Sequence, residues 1–214
     1  MPMSKRSIIW FRRDLRISDH PALLAAISES TEIVPVFILD PKLIKTGGSK
    51  RLAYLGQSLR ALDESLNNSL HIIAGDQLTV LRDLQNKYDA ESVHISAEYE
   101  PYGATRDKNI EAGGIKLIRT GSPYAVAPGR VLKPSDNTPY RVYTPFYKAW
   151  CAHGWRKPAE KPKDIPTVKP DSEAREFPDW ELPKGVRLTK SGELAALERF
   201  KYFQKNGGIQ SSFN

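Results

Sequence analysis

The sequence predicts an α/β fold, a doubly wound five-stranded parallel sheet, and three observations carry that prediction. Five short apolar runs rich in β-branched residues, around Ile8, Val36, Ile72, Val93 and Leu117, read as strands buried on both faces. Stretches with helical periodicity lie between them, so strand and helix alternate as far as Arg119. The turns leaving the strands are polar or charged and offer caps to the helices that follow. The pattern is Rossmann-like, with a Pro-rich C-terminal linker and one short helix after it.

The first strand, Ser7-Ile8-Ile9-Trp10-Phe11, stops at the turn Arg12-Arg13-Asp14-Leu15-Arg16. Ser18-Asp19-His20 offers the cap of the first helix and Pro21 suits its first position. The turn lies at the C-terminal end of its strand, where ligand crevices open in such sheets; a solvated turn is the other reading of its three arginines. Glu32 to Leu39 is the second strand, with Pro35 a mark against it because proline cannot donate to a ladder. Lys42 to Gly48 reads as a loop. From Ser49, Leu52, Leu55, Leu59, Leu62 and Leu66 alternate steps of three and four and predict the clearest helix. Leu70 to Ala74 is the third strand, and Gly75-Asp76 caps a helix whose face is Leu78, Leu81, Leu84 and Tyr88. Ser92 to Ala97, a turn from Glu98 to Gly103, a helix to Ala112, and Ile115 to Arg119 complete the pattern.

Past Arg119 the regularity stops. Pro145 suits the start of a short helix, and the prolines between Arg156 and Gly185 suggest an extended linker. A last helix is expected from Ser191 to Lys205, with Leu194, Leu197 and Phe200 on one face and Gly207-Gly208 as its stop. The organisation expected is therefore an α/β domain over 5–150, an interdomain linker over 151–190, and the start of a further, truncated domain over 191–214. A linker normally joins two domains, so the chain reads as the front of a longer protein.

The totals narrow the chemistry. A length of 214 residues allows one sizeable core plus something left over, and a formal charge of +7 suits a polyanionic partner such as nucleic acid without requiring one. Cys151 is the only cysteine, which excludes a disulfide framework and a cysteine metal site. No run approaches a membrane span and the first strand begins too early for a signal peptide, so a cytoplasmic, monomeric protein with no membrane partner is expected. Neither a Gly-x-Gly-x-x-Gly after the first strand nor a P-loop is present. His20, His71, His94 and His153 are scattered, the two in strands reading as structural, and no catalytic or metal-ligating set stands out.

Two turns do stand out. Asp40-Pro41, with Arg51 at the start of the leucine-faced helix, follows the second strand; Glu98 to Asp107 follows the fourth. If the strand order is 3-2-1-4-5, both border the switch-point crevice, where their acids, Tyr rings and two arginines could hold a planar, hydrogen-bonding ligand. Equally, Glu98, Glu100, Arg51 and Arg106 could pair among themselves as surface ion pairs.

Read together, these segments resemble the N-terminal α/β domain of the photolyase/cryptochrome family, and more closely that of its bacterial deoxyribodipyrimidine photolyases. The resemblance rests on Trp10-Phe11-Arg12-Arg13-Asp14-Leu15-Arg16 with Asp19, on Glu100-Pro101-Tyr102-Gly103 with Arg106-Asp107, and on Pro139 to Trp150. It implies a light-gathering domain of a DNA photolyase, which repairs cyclobutane pyrimidine dimers in UV-damaged DNA; an antenna domain of a cryptochrome light receptor is the alternative. A free-standing nucleotide-binding α/β protein is a third reading, against which the linker and orphan helix argue. The resemblance further implies catalysis by an FAD-binding helical domain that is missing here, so the chain alone should not repair DNA. Position by position, it implies antenna contacts at Ile38, Leu39, Asp40, Arg51, Glu98 and Arg106. Folate-binding members carry an Asn-Glu pair where this chain has Tyr102-Gly103, so the antenna implied is a deazaflavin rather than a folate, with a flavin, or none, left open. Glu98 departs from the usual Asp. Trp10, Trp150, Trp155 and Trp180 read as core or linker packing, not as the family's electron relay.

Overall fold

The computed structural model describes residues 5–175 and 177–207. Its sheet consists of β1 (Arg6–Phe11), β2 (Glu32–Leu39), β3 (His71–Ala74), β4 (Ala90–Ile95) and β5 (Leu117–Arg119). The order is β3-β2-β1-β4-β5 and every pairing is parallel. The helices are α1 (Pro21–Glu29), α2 (Pro41–Thr46), α3 (Ser49–Ser65), α4 (Gln77–Tyr88), α5 (Pro101–Ala112), α6 (Tyr143–His153) and α7 (Glu193–Asn206). Among them none is long and apolar enough to cross a membrane.

Alternation along the strands builds two cores. Ile9 and Phe11 pack with Phe37, Leu39 and the α1 and α3 side chains Leu23, Leu59 and Leu62. Ile8 and Trp10 pack on the other face with Ile38, Leu81, Leu84 and Ile110 of α4 and α5. Right-handed crossovers require this division: the chain runs outward from β1 to β3 with α1 and α3 on one face, then crosses back and runs to β5 with α4 and α5 on the other.

Pro35 sits inside the sheet without cost to the ladder. Ile33 donates its N–H to the Pro166 carbonyl at 2.8 Å and accepts from Val168 N at 2.9 Å, while β3 joins β2 only from Val36 onward. Pro35 falls in the gap between those neighbours, where no donor is missed. The expected loop at Lys42–Gly48 is instead the helix α2: the Asp40 carboxylate accepts Lys42 N at 2.8 Å and Pro41 holds the first helical position. The proline-rich stretch is irregular but not free. Besides the Ile33 bonds, Arg175 bridges Ile72 of β3 and its guanidinium lies 2.8 Å from the buried Asp63 carboxylate. α7 begins two residues later than expected, and Leu194 lies 69% exposed, off the face that Leu197 and Phe200 share. Gly208 and Gln210–Asn214, where the resemblance runs out, lie outside the described residues.

Candidate functional site

The C-terminal rim of β1, β2 and β4 is where the strand order reverses, and a chamber opens there on each face of the sheet among the described residues. The larger, about 1060 Å³, lies on the α1/α3 side: Phe37, Leu39, Leu52 and Leu55 give it apolar walls, and Asp40 and Arg51 border it. The smaller, about 270 Å³, lies on the α4/α5 side between Trp10, Ile38, Tyr102 and Arg106. Asp40, Ile38 and Leu43 line both, so the end of β2 with α2 forms the wall between them.

The six residues expected to share one crevice are therefore divided. Ile38 and Asp40 border both chambers, Leu39 and Arg51 the larger, and Glu98 and Arg106 the smaller. The reason is topological: Arg51 begins α3 and Arg106 lies in α5, which cover opposite faces of the sheet.

Around the smaller chamber the charges neutralise one another. Arg106 bonds Glu98 at 2.8 Å and Asp107 at 2.9 Å, and Arg12 bonds Asp107 at 2.8 Å. The four side chains are each no more than 12% exposed, so these are not surface pairs. Both guanidiniums lie over the Trp10 ring, at 5.1 Å for Arg12 and 4.8 Å for Arg106. Gly103 lets the cluster close, because a Cβ there would lie 2.5 Å from Glu98 Cδ. The solvated-turn reading holds only for Arg13, which is half exposed and pairs with Glu100. Arg12 is buried, and Arg16 binds the Ser18 and Asp19 carbonyls. Arg51 enters no ion pair with the described residues and stays exposed.

Asp40 is held ionised. Burial works to raise its carboxyl, but the Tyr102 hydroxyl and Lys42 N–H that donate to it keep it below the usual carboxylate range. The same bond raises the Tyr102 phenol.

Sequence reasoning missed a buried trio at the foot of the β1–α1 turn. Asp14, 6% exposed, accepts from the Ser96 hydroxyl and from Arg12 N, and its Oδ2 lies 3.0 Å from His20 Nε2. His20 Nδ1 accepts Leu23 N as the cap of α1, which leaves Nε2 as the ring nitrogen beside Asp14. Burial opposes ionisation of Asp14, yet the nearby His20 ring and the Ser96 and Arg12 donors hold its pKa far below the usual carboxylate range. The only signal was the spacing of Asp14 from a helix cap. His71 is structural, its ring set between the Pro35 carbonyl at 3.0 Å and the Tyr88 hydroxyl at 3.1 Å. Among the described residues no cluster of His, Cys, Asp or Glu could hold a metal ion.

Residues 7–166 match the family described as DNA photolyase. The deoxyribodipyrimidine photo-lyase of Agrobacterium fabrum is 33% identical over 212 residues, 92% of this chain and 44% of that protein. A crystal structure of a bacterial class III photolyase from Agrobacterium tumefaciens superposes with a TM-score of 0.81 at 30% identity, over 96% of this chain and 45% of that one. An archaeal photolyase from Sulfolobus tokodaii, crystallised with two FAD molecules and described as implying a novel light-harvesting cofactor, gives 0.64 at 26% identity, over 76% of this chain and 38% of that one. The chain spans less than half the length of each of these three proteins. The match begins in β1 and runs through the sheet to the Pro166 that bonds Ile33, and on that ground the chain belongs to the DNA photolyase family, whose N-terminal α/β domain it forms.

Proposed function

We propose that this chain is the light-gathering part of a cytoplasmic, monomeric photolyase acting on UV-damaged DNA, and that its larger chamber takes an antenna chromophore of deazaflavin or flavin type. The observation that carries the reading is the chamber: about 1060 Å³ of largely apolar space at the switch point, where ligand sites of roughly 300–1,000 Å³ are the rule. The smaller chamber, about 270 Å³, is short of that range. A ring lying between Ile38–Asp40 and the Glu98–Arg106 turn would have to fit there, so the larger chamber is the better seat.

The residues fit such a group. Leu39, Leu52 and Leu55 offer flat apolar contact and exclude water from the ring faces. Asp40, kept ionised by Tyr102, accepts a hydrogen bond from a ring N–H, and Arg51, with no carboxylate partner among the described residues, offers its guanidinium to an anionic oxygen or phosphate. Glu98 and Arg106 act from behind, bracing α5 and through Tyr102 the Asp40 carboxylate. A folate is disfavoured because Tyr102 is committed to Asp40 and Gly103 to Glu98. When bound, the chromophore supplies absorption of near-ultraviolet and blue light.

Fluorescence titration of 8-hydroxy-5-deazariboflavin and of riboflavin tests this. Arg51→Ala is expected to weaken binding by ~1–3 kcal/mol, the range for a charge-assisted hydrogen bond. Arg106→Ala is expected to act mainly on stability. Arg82→Ala, on the distant α4, is the control; Arg156 is unsuitable because it lies 2.5 Å from Asp19 at the rim. Loss of affinity in Arg106→Ala with none in Arg51→Ala would move the ligand to the other face of the sheet.

A further inference from the structure

The way α7 is fastened deepens, and rests on, the chromophore reading of the larger chamber. α7 supplies one wall through Ala196, Leu197 and Phe200 yet buries none of its residues. Leu197 is 47% and Phe200 55% exposed because that face meets the chamber rather than packed atoms. A ligand in the chamber would cover them.

The helix is secured at its start. Glu193 Oε2 accepts the backbone N–H of Ile17 at 2.9 Å and Oε1 that of Ser18 at 3.1 Å. Gly192, at φ +91°, brings the chain so close to α3 that a Cβ would lie 2.5 Å from the Ala61 Cβ. The turn that receives Glu193 is itself pinned. The Asp19 carboxylate accepts from Arg156 at 2.5 Å and from Ala159 N at 2.8 Å, and Arg16 binds the Ser18 and Asp19 carbonyls. The β1–α1 turn thus fastens both segments that flank the chamber mouth, Pro158-Ala159 and Gly192–Phe200.

We propose that Glu193 is a positioning residue for chromophore binding: its carboxylate latches α7 over the larger chamber, so that docking of α7 and retention of the ring are coupled. A helix of 14 residues is marginal alone in water. Its order therefore depends on the latch at one end and on whatever its apolar face touches. A ligand against Leu197 and Phe200 orders α7, and a docked α7 in turn slows the ligand's escape.

The test is peptide-resolved hydrogen exchange on the full chain together with release rates of riboflavin and 8-hydroxy-5-deazariboflavin. Glu193→Ala should speed exchange across α7 and release of the bound probe by about tenfold or more, from two lost charge-assisted bonds. Exchange in β1 to β4 should not change. Glu193→Gln, which keeps one acceptor oxygen, should fall between, and Gly192→Ala, which pushes α7 off Ala61, should mimic the alanine variant. Probe added to wild type should slow exchange in α7. Equal α7 exchange in Glu193→Ala and wild type would overturn the latch, and faster exchange with unchanged release would overturn the coupling. Failure of both probes to bind wild type would remove the chromophore reading and the coupling with it, while the exchange data still decide whether Glu193 holds α7.

Discussion

Asp14 shows how far a single residue departs from what its neighbours in sequence suggest. It stands among arginines, yet its partners include Ser96 and His20, which come from the turn after β4 and from a helix cap. Nothing local announces that contact, so the residue was legible only as part of a charged turn. Asp14→Asn is expected to cost ~1–3 kcal/mol, the range for a buried polar group losing its partners, read from urea unfolding at neutral pH. Because its folded pKa is depressed, Asp14 binds a proton more readily in the unfolded chain. The stability it contributes is present above the ordinary Asp value of about 4 and is lost as pH falls below it. Acid unfolding should therefore be shallower in Asp14→Asn than in wild type; identical curves would mean that the carboxylate is not held by this trio. Arg12 and Arg106 carry the same lesson. Both were legible as charges at the rim, but their burial over Trp10 depends on packing that no spacing encodes.

Among the elements, the five strands and the leucine-faced helix were legible because periodicity reports burial directly. Leu59 lies mid-face in α3 and is fully buried. Leu59→Ala should destabilise by ~2–5 kcal/mol, measured by denaturant unfolding, whereas Leu52→Ala, only partly buried at the chamber wall, should cost less. Comparable losses would put the wrong face of α3 against the sheet. α2 escaped because it is six residues long and buries none of them, leaving only the Asp40-Pro41 cap to read. The division of the site between two chambers was also within reach. Once the order 3-2-1-4-5 is assumed, right-handed crossovers place the helices after β2 and β4 on opposite faces. Arg51 and Arg106 then approach the switch point from opposite faces of the sheet, a step that the position-by-position resemblance passes over.

For the whole molecule, the α/β unit does not end with its fifth strand. Pro166–Val168 and Arg175 complete the β2–β3 edge through Ile33, Ile72 and Asp63. Composition could not show this, since proline-rich chain reads as linker whether or not it docks. A chain ending at Gly154 should lose ~1–3 kcal/mol for each buried group left unpaired, with Ile33 N–H and Asp63 the first to suffer. A urea midpoint equal to that of the full chain would show the segment to be a passive tether. The same edge has a consequence for synthesis. Ribosomes add roughly 5–20 residues per second, so Thr167 follows Ile33 by about 7–27 s. Through that interval the Ile33 end of β2, which β3 does not cover, is an unpaired template, open to the same strand of the next nascent chain on the message. Aggregation of this polypeptide in the cell should then rise when codons between 33 and 167 are decoded slowly, even though the finished protein is unchanged.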